Sequence, residues 1–100
     1  MPNKNYRRGS TIERLIVNSF RKEGLTAYRS AGSHSPIDVT VHFPDRPVLA
    51  IQVKRVKKKG YNFSEEIESL RKVKTVATKE LWIYRDYETR DKKWEKISIH

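Results

Sequence analysis

Ile37-Asp38-Val39-Thr40-Val41, then Phe43-Pro44-Asp45-Arg46-Pro47, then Val48-Leu49-Ala50-Ile51-Gln52-Val53-Lys54 is the stretch that decides the fold. Two apolar, β-branched runs flank a turn holding two prolines, the pattern of neighbouring strands in a hairpin. Side chains two apart on a strand point to one face, so Gln52 and Lys54 share a side of the sheet. Asp38 stands fourteen residues before Gln52, a spacing that lets Asp38, Gln52 and Lys54 converge at one end of the hairpin. A carboxylate, an amide carbonyl and an ammonium at one spot suit a hard cation beside a phosphate.

Upstream, Gly9-Ser10-Thr11-Ile12-Glu13 predicts a helix start, with Ser10 as cap and Glu13 three residues later as in a capping box. Ile12, Leu15, Ile16 and Phe20 repeat at helical spacing until Gly24. A first strand is expected over Leu25 to Ser30. Downstream of the hairpin, Lys54-Arg55-Val56-Lys57-Lys58-Lys59-Gly60 is expected to leave the sheet as a solvated loop. A second helix is expected from Ser64 to Thr78, with Ile67, Leu70, Val73 and Val76 on one side. Its Glu65, Glu66 and Glu68 fall in the first turns, where the helix dipole favours acids. Leu81 to Arg85 and Trp94 to Ile99 read as closing strands. The order is αβββαββ: an α/β fold with a central mixed sheet of about five strands flanked by helices.

Length allows one domain over residues 1–100, since a chain this short buries only about two-thirds of its unfolded surface. Twenty-two Lys and Arg against twelve Asp and Glu leave a net charge of +10, the electrostatic footprint of a nucleic-acid binder. There is no cysteine, hence no disulfide and no thiolate metal site. His34, His42 and His100 lack metal-ligand spacing, which argues against zinc. Apolar runs fall far short of the roughly 20 residues of a membrane span, and no secretory signal is visible, so a soluble cytoplasmic protein is expected.

Candidate chemistry therefore sits at Glu13, Asp38, Gln52 and Lys54. Carboxylate and carbonyl oxygens are what Mg²⁺ accepts, and phosphodiester hydrolysis uses such an ion to neutralise charge and activate water. A lysine can stabilise the pentacovalent phosphorane. Each residue also has a plainer reading. Glu13 fits a capping-box acid, Asp38 an ordinary strand-end carboxylate, and Lys54 the first member of a solvated basic run. Asp38 lies within an apolar run, however, where an unpaired carboxylate is costly to bury. Trp82, Tyr84 and Trp94 suit packing in a core or a dimer interface better than base stacking, whereas Tyr61 and Phe63 in the basic loop suit either packing or DNA contact.

Over Arg8-Gly9, Glu13-Arg14, Tyr28-Arg29-Ser30-Ala31-Gly32-Ser33, Asp38 and Ala50-Ile51-Gln52-Val53-Lys54, the chain resembles the archaeal-type Holliday junction resolvases of the PD-(D/E)xK nuclease superfamily. The resemblance implies a restriction-endonuclease-like core and a homodimer that binds four-way DNA junctions. It further implies a nuclease that cuts two opposed strands symmetrically with Mg²⁺ or Mn²⁺, in a prokaryotic cell or a virus-infected host cell. Carried over by position, Glu13, Asp38 and Lys54 are catalytic, Ser33 lies by the scissile phosphate, and Arg14 and Arg29 contact phosphates. Glu13, Asp38 and Gln52 then form the metal set. Arg7, Arg8, Lys57, Lys58 and Lys59 complete the candidate DNA contacts, and recognition of branch shape through phosphates makes binding strongly salt-dependent.

One position departs from the family pattern: the acidic residue two before the lysine is Gln52. A glutamine carbonyl ligates a hard cation but brings no charge, so metal affinity is expected to fall. Gln-x-Lys is found in other branches of the superfamily. The alternatives to a junction resolvase are a nuclease of the same fold acting on other branched or linear DNA, and a junction-binding module impaired in catalysis by Gln52.

Overall fold

Ile12, Ile16 and Val17 recur with the helical period and are all buried, forming the inner stripe of α1 (Lys4–Lys22). The computed structural model describes the backbone of residues 4–30 and 35–100, and the side chains from Thr11 onward within them. α1 begins at Lys4 rather than at a Ser10 cap, so Gly9 and Ser10 lie inside the helix and Glu13 is no capping-box acid. An interior glycine costs about 1 kcal/mol relative to alanine, an amount the buried stripe outweighs. Leu15, expected in that stripe, is 56% exposed, and Val17 takes its place. The helix ends where Gly24 adopts φ +85°, a left-handed conformation that glycine takes at no steric cost. There the Leu25 N–H donates back to the Phe20 carbonyl at 3.2 Å.

Four further strands follow β1 (Thr26–Arg29): β2 (Val39–His42), β3 (Leu49–Val56), β4 (Thr78–Arg85) and β5 (Trp94–Ile99). They lie side by side in chain order. Only β3 and β4 are parallel, and α2 (Ser64–Lys72) makes the crossover that such a pairing requires.

Two bounds differ from expectation. β3 runs on through Lys54 and Arg55 to the buried Val56, because β4 pairs with it along its whole length. The basic loop therefore starts only at Lys57. α2 stops at Lys72 rather than Thr78, leaving Val76 98% exposed. Val73, Thr75 and Val76 are β-branched and poor helix formers, and the chain turns extended at Val73. The freed carbonyls are taken up by Lys79, whose Nζ donates to Leu70, Arg71 and Val73 at 2.8, 3.1 and 2.9 Å.

The two helices cover opposite faces of the sheet, offset along it. α1 packs over β1 to β3 against Val39, Val41, Leu49 and Ile51. α2 packs over β4 and β5, where Leu70 meets Leu81, Ile83 and Ile99. Each fully buried Leu or Ile contributes roughly 1.5–3 kcal/mol. The offset leaves a corner of the sheet beside each helix without a helix over it. Beside α1 the corner is an aromatic groove of about 600 Å³ lined by Leu15, Trp82, Tyr84 and Trp94. Beside α2 it holds Gln52 and Lys54, which share a face with Val56 by strand alternation. Among the described residues no helix is long and apolar enough to cross a membrane.

Candidate active site

The β2–β3 ladder pairs Val39 with Ile51 and Thr40 with Ala50. The paired residues end at Val39, and Asp38 stands immediately before the strand, at the end of the ladder. The Asp38 N–H donates to the Ile51 carbonyl at 2.8 Å, one residue short of an in-register partner, so the β2–β3 register shifts there as in a β-bulge, while the Ser30 N–H donates to the Asp38 carbonyl at 2.9 Å. Asp38 thus lies at the end of the β2–β3 pairing, beside the β3 segment that carries Gln52 and Lys54.

The Val53 N–H donates to Asp38 Oδ2 at 2.8 Å, which pins the carboxylate against β3. Burial is the largest influence on its acidity and pushes its pKa up to about 6 from 3.8. The Val53 bond opposes this rise, the charge of Glu13 adds to it, and Arg29 and Lys54 pull it back. That mutual influence brings Glu13, from α1, into the electrostatics of the same site. Arg29 Nε donates to Glu13 Oε1 at 3.0 Å, with both side chains largely buried. Arg29, expected on phosphate, thus has a carboxylate to orient.

Gln52 Oε1 is buried with no hydrogen-bond donor among the described residues. A buried carbonyl oxygen without a donor and a partly buried carboxylate are each costly, and both are oxygens of the kind a hard cation accepts. Asp38 and Gln52 thus carry the oxygens that could take a hard cation such as Mg²⁺ or Mn²⁺, with the charge of Glu13 felt at Asp38 from α1. No three His, Cys, Asp or Glu residues gather as a metal cluster among the described residues.

Lys54 leans toward the first turn of α2. Its Nζ lies 3.5 Å from Glu66 Oε2 and 5.0 Å from the centre of the Tyr61 ring. The Tyr61 hydroxyl donates to the same Glu66 oxygen at 2.6 Å, and Glu66 Oε1 is buried without a partner. Desolvation by itself lowers the lysine pKa, but Tyr61 and Glu66 outweigh it and hold the ammonium above its ordinary value. Desolvation likewise raises the Glu66 carboxyl, and Tyr61 and Lys54 bring it below its ordinary value. In the sequence alone, Glu66 reads only as a dipole acid and Tyr61 only as a loop aromatic. The one signal there is three glutamates at a helix start, which does not say which of them turns inward.

Among the expected DNA contacts, Arg14 is exposed, and Lys57, Lys58 and Lys59 are exposed on the loop after β3. Arg55 beside them is committed to Asp86, with Nε donating to both carboxylate oxygens at 3.0 and 2.9 Å. Arg7 and Arg8, as side chains, and Ser33 and His34 lie outside the described residues. Trp82 is buried, and Trp94, 37% exposed, packs edge-on against Trp82 and Tyr84 at 6.0 and 5.0 Å. These aromatics line the groove on the other face of the sheet, away from Lys54.

A family model described as archaeal Holliday junction resolvase matches residues 4–99. Among solved structures, a Holliday junction resolvase from the archaeal hyperthermophile Archaeoglobus fulgidus is similar at 25% identity and a TM-score of 0.62. The match covers 91% of this chain and 72% of that one, and extends to the mixed five-stranded sheet with its flanking helices. Nothing among the curated proteins matches by sequence.

Proposed function

We propose, for a chain that belongs to the archaeal Holliday junction resolvase family, that it binds four-way DNA junctions as a homodimer and nicks two opposed strands by metal-dependent hydrolysis. The observation that carries this reading is the bond from the Val53 N–H to Asp38 Oδ2 at 2.8 Å, which holds the carboxylate against β3 at the residue between Gln52 and Lys54.

In this reading Asp38, Gln52 and Glu13 hold Mg²⁺ or Mn²⁺, which when bound neutralises phosphate charge and makes water a better nucleophile at neutral pH. Asp38 must lose its proton to take part, which its raised pKa resists until near pH 6. Val53 and Arg29 hold the two carboxylates in fixed directions. Lys54 faces the scissile phosphate, where its ammonium stabilises the negative charge that builds on phosphoryl oxygens as the bond to water forms and the ester bond breaks. The Lys57 to Lys59 loop and Arg14 contact the backbone of the junction arms, which favours shape over base sequence. Two symmetric cuts need two related sites, and a two-fold dimer provides them.

Labelled four-way junction, beside linear duplex of the same sequence, is incubated with Mg²⁺, Mn²⁺ or chelator. Paired nicks confined to the junction and requiring metal are expected. Tight junction binding without nicks under any metal would instead make the chain a binding module disabled by Gln52, and equal cutting of both DNAs would remove the junction from the reading.

A further inference from the structure

We infer that Glu66 and Tyr61 are positioning residues that hold the Lys54 ammonium in place for the reaction. The inference rests on the proposed hydrolysis for its purpose, and on geometry alone for its substance.

A lysine at the end of four rotatable bonds is a poor catalytic group unless something fixes its tip before the substrate arrives. In the usual motif of this superfamily an acid two residues before the lysine puts negative charge on the same face of the strand. Here that residue is the uncharged Gln52. The charge comes instead from across the crossover, from Glu66 in the first turn of α2.

Three observations distinguish this from an ordinary acid at a helix start. Glu65, its neighbour, is exposed as a dipole acid should be, whereas the Glu66 side chain is only 11% exposed. Burying a carboxylate is costly, so its inward aim needs compensation, and Lys54 and the Tyr61 hydroxyl supply it. Tyr61 also sets a second boundary: its ring lies under the Lys54 ammonium at 5.0 Å, while its hydroxyl fixes the carboxylate at 2.6 Å. The three groups form a closed triangle, and the Tyr61 ring is itself braced by Phe63 at 4.8 Å between centroids. The lysine side chain itself remains 36% exposed.

The test combines side-chain NMR with single-turnover kinetics on Glu66→Gln and Tyr61→Phe. In metal-free, DNA-free protein the Lys54 ε-methylene order parameter is expected to fall in both variants; an unchanged value overturns the inference. With junction bound and metal saturating, the cleavage step is expected to slow by about tenfold or more, with affinities for junction and Mn²⁺ within about twofold of the parent. A loss of Mn²⁺ affinity in Glu66→Gln would make Glu66 a ligand rather than a positioning residue and overturn the inference in another way. Tyr61→Phe keeps the packed ring, so it reports even where Glu66→Gln weakens the fold. If the parent protein cuts no junction, the proposed function fails on its own, and the NMR measurement still decides the placement of Lys54.

Discussion

Asp38 accepts the Val53 N–H at 2.8 Å, which ties its carboxylate to β3 between Lys54 and Gln52, whose carbonyl oxygen is buried without a partner among the described residues. The arrangement is unfavourable by itself: a partly buried acid and a buried carbonyl without a donor each lose contact with water. Such local conflict is expected where a site has been shaped for a ligand rather than for stability.

Asp38→Asn is expected to stabilise the metal-free protein at neutral pH. The sign follows from linkage. With the folded pKa at about 6 and the ordinary value at 3.8, the folded state binds the proton more tightly. The stability that Asp38 contributes is therefore fully present below about pH 4, falls as pH rises toward 6, and is gone above it. An amide keeps an oxygen for the Val53 N–H and has no charge to desolvate. Thermal unfolding from pH 4 to 7.5 should show a higher Tm for the variant at the upper end and a flatter slope; a lower Tm at pH 7 would refute this account.

Metal and proton compete for the same carboxylate, so Mg²⁺ and Mn²⁺ affinity should climb as pH passes through about 6 and level off beyond it. Titration calorimetry at pH 5 and pH 8 measures this. Equal affinity at the two pH values would mean that Asp38 is no ligand.

Gln52→Glu restores the missing negative charge. Cleavage should increase and the metal concentration for half-maximal rate should decrease, since a carboxylate binds a hard cation better than an amide does. Equal or lower activity would show that the site is already complete with Gln52.

Lys54→Ala is expected to abolish cutting while leaving junction affinity within a few-fold of the parent. Gel-shift titration beside a cleavage assay separates the two. A large loss of binding would place Lys54 with the phosphate-contacting loop. By contrast, charge removal at Lys57 to Lys59 should weaken binding and reduce its salt dependence, by about one unit of slope for each phosphate no longer neutralised.

Lys79→Met tests the fold rather than the site. It keeps the side-chain stem but strips the donor from three carbonyls at the end of α2. A loss of about 1–3 kcal/mol in urea unfolding is expected, with the residual fold still binding junction. An unchanged midpoint would mean that water replaces the ammonium at no cost.

By itself the sequence determined whatever depends on near neighbours along the chain. Alternation placed Gln52 and Lys54 on one face, the proline turn implied the β2–β3 hairpin, and the helical repeat and Gly24 marked the end of α1. The same local reasoning misled where a pattern had two outcomes: Ser10-x-x-Glu13 lies mid-helix, Leu15 faces the groove beside Trp94, and Val76 stands in solvent because α2 ends early. What only the tertiary structure decided are the partnerships across the sheet and the crossover: Glu13 with Arg29, Lys54 with Glu66, Arg55 with Asp86, Lys79 with the end of α2. The physical reason is that periodicity assigns a side chain to a face, but not to a partner. Partners depend on the offset at which each helix packs over the twisted sheet, and many buried contacts set that offset together.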